Sequence, residues 1–485
     1  MRVALVHYHL QWGGVTRIVS HQQEALGQRG IATVALTGKP PAVWDAGNVR
    51  VLPGLQYEAD RPSVSPAELA AQMRAEAGAA LGGPPDLWHV HNHSLGKSMV
   101  LPLALLRLAE QGERFLFQIH DFAEDGRPAN YRAMLAVMAE GCRRTLFRLL
   151  YPRGGHLHYA VLNRRDFRFL QEAGLDAGHL HLLLNPVDLK PAGNGQPAAS
   201  AGQPPFWLYP TRAIRRKNLG EFLLWSALAP KETRFGVTSK PDTPAEHPHY
   251  RRWRQLAGEW GLPVQFEMVG PGKPSFVELL HQADVAMTTS IAEGFGMAFL
   301  EPWLLGVPVF GRTLPEIMPH AGNEDVRLPW SYNRLDVPLE WLGRARIEQA
   351  AREGVQRCLA AYGRCPGKDD VHRVLAAWIR DSGVDFGRLD EVLQETVLRR
   401  LVATQAQSAL GEPIRLPNPV SQQGIVAENQ ALLRSRYSLA RYGEVLEAVY
   451  LRVAGSAGTA VDHLDGEALL DRFLAPERLS LLRVD

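Results

Sequence analysis

Cysteine is scarce in this chain. Its three cysteines among 485 residues, Cys142, Cys358 and Cys365, are odd in number and have neither the spacing of a disulfide framework nor that of a metal site. Free thiols in a reducing compartment, with no structural disulfide, are the expectation. A charge excess is lacking too. Lys plus Arg number 53 and Asp plus Glu 51, a net charge of +2, too near balance for a protein that seeks nucleic acid, so any basic site must be local. No uncharged stretch approaches the roughly 20 apolar residues of a spanning helix, and the opening run Met1 to Val6 stops at His7, too short for the core of a signal peptide. A cytoplasmic protein is expected. What is present is the 46% hydrophobic and 21% charged composition of a folded chain, long enough for two or three domains at roughly 150 residues each.

Short apolar runs rich in β-formers alternate with helix-length segments: Val3 to Val6, Ala32 to Leu36, Leu87 to Val90, Phe115 to Ile119 and Tyr159 to Leu162. That alternation predicts parallel strands with crossover helices. A stretch of Pro, Gly, Ala and small polar residues, 189–205, reads as a linker. Beyond it the pattern restarts with Phe206 to Tyr209, Arg234 to Thr238, Val264 to Val269, Val285 to Thr289 and Val307 to Phe310. The prediction is an α/β protein of two Rossmann-like, doubly wound domains, 1–188 and 206–430, with ligands bound at the carboxyl ends of their strands in a cleft. After Leu339 the strand signal fades and helix is expected, most clearly as one segment from Ala431 to Val453.

The most informative segment follows the strand Val285 to Thr289: Ser290-Ile291-Ala292-Glu293-Gly294-Phe295-Gly296-Met297-Ala298-Phe299-Leu300-Glu301. It reads as strand, glycine turn and helix. The glycines let backbone approach a ligand, and a helix N-terminus would point its free N–H groups at an anion. Carboxylates on either side of such a site suit hydroxyls rather than phosphate. A ligand with a phosphate at its centre and a sugar at each end, a nucleotide sugar, would satisfy both.

Glu293 and Glu301, eight positions apart around Gly-Phe-Gly, resemble the signature of the family-4 retaining glycosyltransferases, whose fold is GT-B. The likeness is strengthened by Arg212 and Lys217 in Tyr209-Pro210-Thr211-Arg212-Ala213-Ile214-Arg215-Arg216-Lys217-Asn218. At this spacing the resemblance implies that the Arg and the Lys grip the donor diphosphate. A departing nucleoside diphosphate needs its growing charge neutralised by fixed cations, a helix dipole or a metal. The chain has no Asp-x-Asp, so no metal and no cofactor are expected, and Arg212 and Lys217 would take the metal's place.

The resemblance extends to Gly13 and Gly14, in the turn Gln11-Trp12-Gly13-Gly14-Val15-Thr16-Arg17, as a glycine loop near the diphosphate or transferred sugar. It extends also to His120, as a contact to that sugar. The donor-binding set it implies is Gly13, Gly14, Arg212, Lys217, Glu293, Gly294, Phe295, Gly296, Met297 and Glu301, with His120, Arg212, Lys217 and Glu293 carrying the chemistry. The co-substrates would be a UDP- or GDP-linked hexose and a hydroxyl-bearing acceptor; the polar stretch Phe122 to Arg132, read from its residues alone, fits equally well contacts to that acceptor and a surface loop that binds no ligand. Residues 431–485, containing Tyr437 to Tyr442, would supply a crossover helix and a tail that pack back on the first domain.

Two positions depart from the family pattern: Thr211, where relatives generally have Gly, and Pro302, which would kink the helix begun at Gly296. Epimerases and phosphorylases share this fold, and a non-catalytic sugar-nucleotide-binding protein would carry the same residues. Histidines at period two (His7 and His9; His89, His91 and His93; His156 and His158; His179 and His181) fit sheet-end packing better than zinc. The arginines from Arg143 to Arg168, interleaved with Phe147, Leu149, Leu150 and Tyr151, read as a solvated basic face, with a weak contact to an anionic membrane surface as the alternative.

Overall fold

The computed structural model describes residues 1–11, 13–42, 44, 47–57, 64–189, 204–318, 325–404, 410 and 423–484. Nearly all of the expected linker lies outside the described residues. The chain divides into two compact units, Met1–Pro186 with Arg436–Leu474, and Val187–Ser435 with Ala475–Asp485.

In the first unit the strands are β1 (Arg2–His7), β2 (Ala32–Thr37), β3 (Val49–Val51), β4 (Leu87–His91), β5 (Phe115–Ile119), β6 (Pro152–Arg153), β7 (Leu157–Val161) and β8 (Leu180–Leu182). All but β6 form one parallel sheet in the order β3-β2-β1-β4-β5-β7-β8. Val3, Leu5, Leu87, Phe115 and Leu116 are wholly buried, as continuous apolar runs must be when helices cover both faces. β3 and β8 had too few apolar residues to stand out in the sequence.

The second unit repeats the plan with β9 (Phe206–Arg212), β10 (Arg234–Ser239), β11 (Val264–Gln265), β12 (Val285–Thr288), β13 (Val309–Arg312) and β14 (Ser331–Tyr332), in the order β11-β10-β9-β12-β13-β14. The fading of strand signal after Leu339 is corrected by β16 (Ile379–Arg380) and β17 (Gly383–Asp385), which form a small antiparallel sheet with β15 (Asp336–Pro338). Strands this short carry no periodicity to read. They are fixed instead by a buried ion cluster, in which Arg312 bonds Glu221 and Asp385, each at 2.8 Å, and Tyr332 donates to Glu221 at 2.7 Å. Charges out of water persist only when partnered on every side.

The expected single helix Ala431 to Val453 is two, Gln423–Arg436 and Leu439–Ala454. Ser438 breaks it by capping the second helix, its side chain accepting from the Arg441 N–H. Tyr442, Leu446, Tyr450 and Val453 of that second helix share a core with Val3, Leu5, Val19 and Leu26. Each fully buried side chain of this kind stabilises by about 1.5–3 kcal/mol. The tail is divided: β18 (Asp462–His463) pairs with β6, while residues 475–485 group with the second unit rather than the first. There Trp378 donates to the Leu479 carbonyl and Ser480 to that of Gly387, each at 3.0 Å.

The basic stretch from Arg143 to Arg168 spends much of its charge internally. Arg148 pairs with Glu110 at 2.9 Å, Arg153 with Asp462 at 2.9 Å, and buried Arg165 with Asp125 and Asp166 at 3.0 and 2.7 Å. Phe147, Leu149, Leu150 and Tyr151 face inward, so the apolar half of an amphipathic surface is not on offer. Among the described residues no helix is long and apolar enough to cross a membrane.

Candidate functional site

At the carboxyl edge of the second sheet, β9 runs into the turn Arg215–Lys217, and Asn218 then takes a left-handed conformation (φ 54°) before the helix Leu219–Leu228. Buried Asn218 tolerates this because its side chain is held by Glu221 at 2.8 Å and Gln394 at 2.9 Å. The loop after β12 is laced to that turn. Ile291 N–H donates to the Arg216 carbonyl at 2.9 Å, and Thr289 Oγ1 to the Lys217 and Asn218 carbonyls at 3.0 Å. Tyr209 O–H reaches the Lys217 carbonyl at 2.7 Å.

This lacing brings Lys217 Nζ onto Glu293 Oε1 and Arg216 Nη1 to within 3.1 Å of Glu293 Oε2. Burial by itself would raise the Glu293 carboxyl, but Lys217 and Arg216 more than offset it and hold it at about 2. Burial pushes the Lys217 ammonium down, with Glu293 opposing. Arg216 stood unremarked within the basic turn: nothing in its spacing distinguishes it from Arg215, which pairs with Glu391 at 2.7 Å. Arg212 is not part of this group. Its side chain is 60% exposed and pairs with Asp242 at 2.7 Å. Thr211 is buried, its carbonyl accepting from Thr238 at 2.7 Å.

The glycine turn is present, but the helix expected after it is not. Gly296 is left-handed (φ 88°), and a Cβ there would meet Met318 Sδ at 2.9 Å. Met297–Phe299 form a single 3-10 turn, and the helix that follows, Glu301–Leu304, has four residues. A helix running through from Gly296 would set the Pro302 ring against the residue 298 carbonyl. Pro302 instead occupies the first turn, where its missing N–H costs little. The expected kink therefore does not arise, a helix dipole is not available to an anion, and buried Glu301 heads a short helix rather than sitting two turns into a long one. Gly294, Phe295 and Met297 are partly exposed along this loop.

In the first unit, Gly14 opens the helix Gly14–Gly27 and Gly13 precedes it in extended backbone. Among the described residues, a Cβ at Gly13 would come no nearer than 3.9 Å to an atom outside its own chain neighbours, and one at Gly14 would meet nothing within 4 Å. His120, beyond β5, is buried, and its N–H and that of Asp121 both donate to Asn92 Oδ1, at 2.7 and 3.1 Å.

The His120 ring ends a chain of buried polar groups that sequence periodicity read only as packing. His91 Nδ1 lies 2.9 Å from His120 Nε2, and His91 Nε2 lies 3.0 Å from Gln22 Oε1. Gln22 gives its amide hydrogens to Gln118 Oε1 at 3.1 Å and Tyr442 O–H at 2.8 Å. Its oxygen must then accept from His91 Nε2, so His91 Nδ1 accepts from His120 Nε2, and a lone pair is left on His120 Nδ1. Burial pushes His7 and His89 down to about 3 and His120 to about 4, and holds His91 far lower than usual. These imidazoles are neutral acceptors and donors, not cations. Among the described residues no group of three His, Cys, Asp or Glu side chains is arranged to hold a metal ion.

Two sheets in this strand order, with helical additions at the C-terminal end, are the GT-B fold. Sucrose-phosphate synthase from Thermosynechococcus elongatus is similar at a TM-score of 0.56 and 16% identity, over 93% of this chain and 98% of that one. Anabaena Alr3699/HepE in complex with UDP and glucose is similar at 0.52 and 13%, over 92% and 98%. A glycosyltransferase from Rickettsia africae is similar at 0.52 and 12%, over 94% and 99%. In sequence, the mannosylglucosyl-3-phosphoglycerate synthase of Petrotoga mobilis is 26% identical over 242 residues, 44% of this chain and 44% of that protein. No protein-family model matches.

Proposed function

We propose that this chain is a family-4 glycosyltransferase that moves a hexosyl group from a UDP- or GDP-linked donor to a hydroxyl acceptor, keeping the anomeric configuration. The observation that carries the reading is the Lys217–Arg216–Glu293 cluster beside the Gly296 turn. Cations already fixed at a strand end need no reorganisation when a diphosphate leaves, and one well-placed group of this kind is worth about 3 kcal/mol of barrier. The GT-B fold, the glycosyltransferase named above and the UDP-bound HepE complex support it.

On this reading Lys217 and Arg216 meet the donor diphosphate from where Glu293 holds them, and Arg212 joins from Asp242. Glu293, whose carboxylate keeps lone pairs beyond those ion pairs, takes hydroxyls of the sugar, and Glu301 those of the ribose. The bond from the anomeric carbon to phosphate oxygen breaks with its electron pair on the nucleoside diphosphate. The acceptor oxygen attacks from the same face and its proton passes to the departing phosphate. His120 Nδ1 orients the sugar by accepting from one of its hydroxyls. Because Lys217 and Arg212 neutralise the leaving group, turnover is expected to persist in EDTA.

The test is release of nucleoside diphosphate from UDP-glucose, GDP-mannose and UDP-N-acetylglucosamine, with and without a hydroxyl acceptor. Acceptor-dependent release is expected from one donor. An isomerised sugar, a requirement for orthophosphate, or binding without product would each replace this reading.

A further inference from the structure

After Ser435 the chain leaves the second unit, and at Ala475 it re-enters it. The returning segment is firmly seated. Leu479, Leu481, Leu482 and Val484 are buried, a Cβ at Gly354 would meet Leu481 Cδ2 at 2.5 Å, and the Leu479 carbonyl accepts from Arg388 at 3.1 Å as well as from Trp378. The short turn Leu481–Arg483 packs on the turn Arg215–Lys217. Arg215 Nη1 and Nη2 donate to the Val484 and Leu481 carbonyls at 3.3 and 3.4 Å. The same guanidinium holds Glu391 through Nε at 2.7 Å and Nη2 at 3.1 Å, while the Arg215 N–H donates to Glu246 at 2.8 Å.

A 3-10 turn has three residues per turn, so the side chains of Arg215, Arg216 and Lys217 leave it in three directions. Arg216 and Lys217 reach Glu293, whereas Arg215 reaches Glu391 and the returning segment. Fixing Arg215 therefore fixes where the other two begin. An isolated turn has little stability of its own, and a planar fork that meets a carboxylate and two carbonyls at once clamps it as an ammonium could not. We infer that Arg215 and residues 479–484 are a brace that positions Lys217 and Arg216 for the departing diphosphate, Arg215 being a positioning residue and not a phosphate contact. This rests on the transferase reading.

The experiment is a double-mutant cycle on the donor that the protein turns over. Arg215→Lys keeps the charge and gives up the fork. It should lower kcat about tenfold, the equivalent of one charge-assisted hydrogen bond, with the acceptor KM unchanged, and Arg215→Met should lose about as much. In a Lys217→Ala chain, Arg215→Lys should cost less than about threefold, because Lys217, through which most of the effect passes, is gone. A merely structural arginine would cost the same in both backgrounds. Melting curves establish that the variants fold. The unaltered protein supplies a second readout: with saturating UDP or GDP, whichever it releases, the Arg483 and Val484 N–H groups, which donate to the Ser480 and Leu481 carbonyls, should exchange more slowly than without it, since coupling between two sites is reciprocal. Full turnover in Arg215→Lys, equal losses in both backgrounds, or exchange at 483 and 484 unmoved by the nucleotide would overturn the brace and leave the transferase standing. No release of nucleoside diphosphate from any donor by the unaltered protein would overturn the transferase reading and this inference with it.

Discussion

In each unit the first strand runs through the middle of its sheet, yet the groups set around that strand's end differ in kind. Around β1 they are imidazoles, amides and phenols, kept neutral by burial: His7, His89, His91, His120, Gln22 and Tyr442. Around β9 they are full charges, Lys217, Arg216 and Glu293, kept charged by one another. The same backbone plan can therefore present an uncharged, directional surface suited to hydroxyls, or a charged one suited to phosphate. The choice lies in a few side chains beyond the strand ends.

If that contrast is functional, removing a charge must cost far more than removing a neutral ring. Lys217→Ala is expected to lower turnover about 150-fold, the rate equivalent of about 3 kcal/mol. His120→Ala, which deletes one hydrogen bond between neutral groups worth about 1–1.5 kcal/mol, should lower it about tenfold. Steady-state release of nucleoside diphosphate checks both, and equal losses would erase the distinction between the two edges.

The units should also answer differently to pH. Glu293 is held at about 2, below the ordinary 4.5, so its contribution to the second unit is present above 4.5 and fades only as pH falls towards 2. The buried histidines of the first unit sit below the ordinary 6.5, so their contribution already wanes as pH falls below that value. Hydrogen exchange at pH 4.5 is expected to show the first unit opening before the second. Glu124 adds the opposite limb: burial pushes its carboxyl up to about 7, with Tyr151 donating to Oε2 at 2.8 Å. That stability is full below 4.5 and lost as pH rises through 7. Glu124→Gln should raise stability at pH 8 by about 1–2 kcal/mol and change little at pH 5, as read by denaturant unfolding.

The central strands were legible because continuous apolar runs mark strands buried on both faces. Short edges such as β3, β14 and β16 were not, since two or three residues carry no period. Glu293 and Lys217 could be singled out because they stand where the resemblance to family-4 glycosyltransferases sets a glutamate and a lysine; a basic turn after a strand would by itself read as a solvated one. Arg216 and Gln22 could not. Their importance comes from what lies across the fold, Glu293 for one and His91 with Tyr442 for the other, and no local spacing encodes that. The long helix expected after Gly296 failed for a reason that was present in the sequence, the position of Pro302.

Arg212 offers the finest test of how far spacing can be relied on over geometry. Spacing pairs it with Lys217, but its guanidinium lies 60% exposed on Asp242, an ion pair of the kind that contributes little to stability. Arg212→Ala should change unfolding free energy by less than about 0.5 kcal/mol. If the side chain must leave Asp242 to reach a diphosphate, part of what it gains there is offset by that loss. Its removal should then lower turnover only about fivefold, far less than removal of Lys217, which is already fixed in place. A loss matching that of Lys217→Ala would mean that the donor captures the arginine completely and that the exposed pair with Asp242 is a resting position.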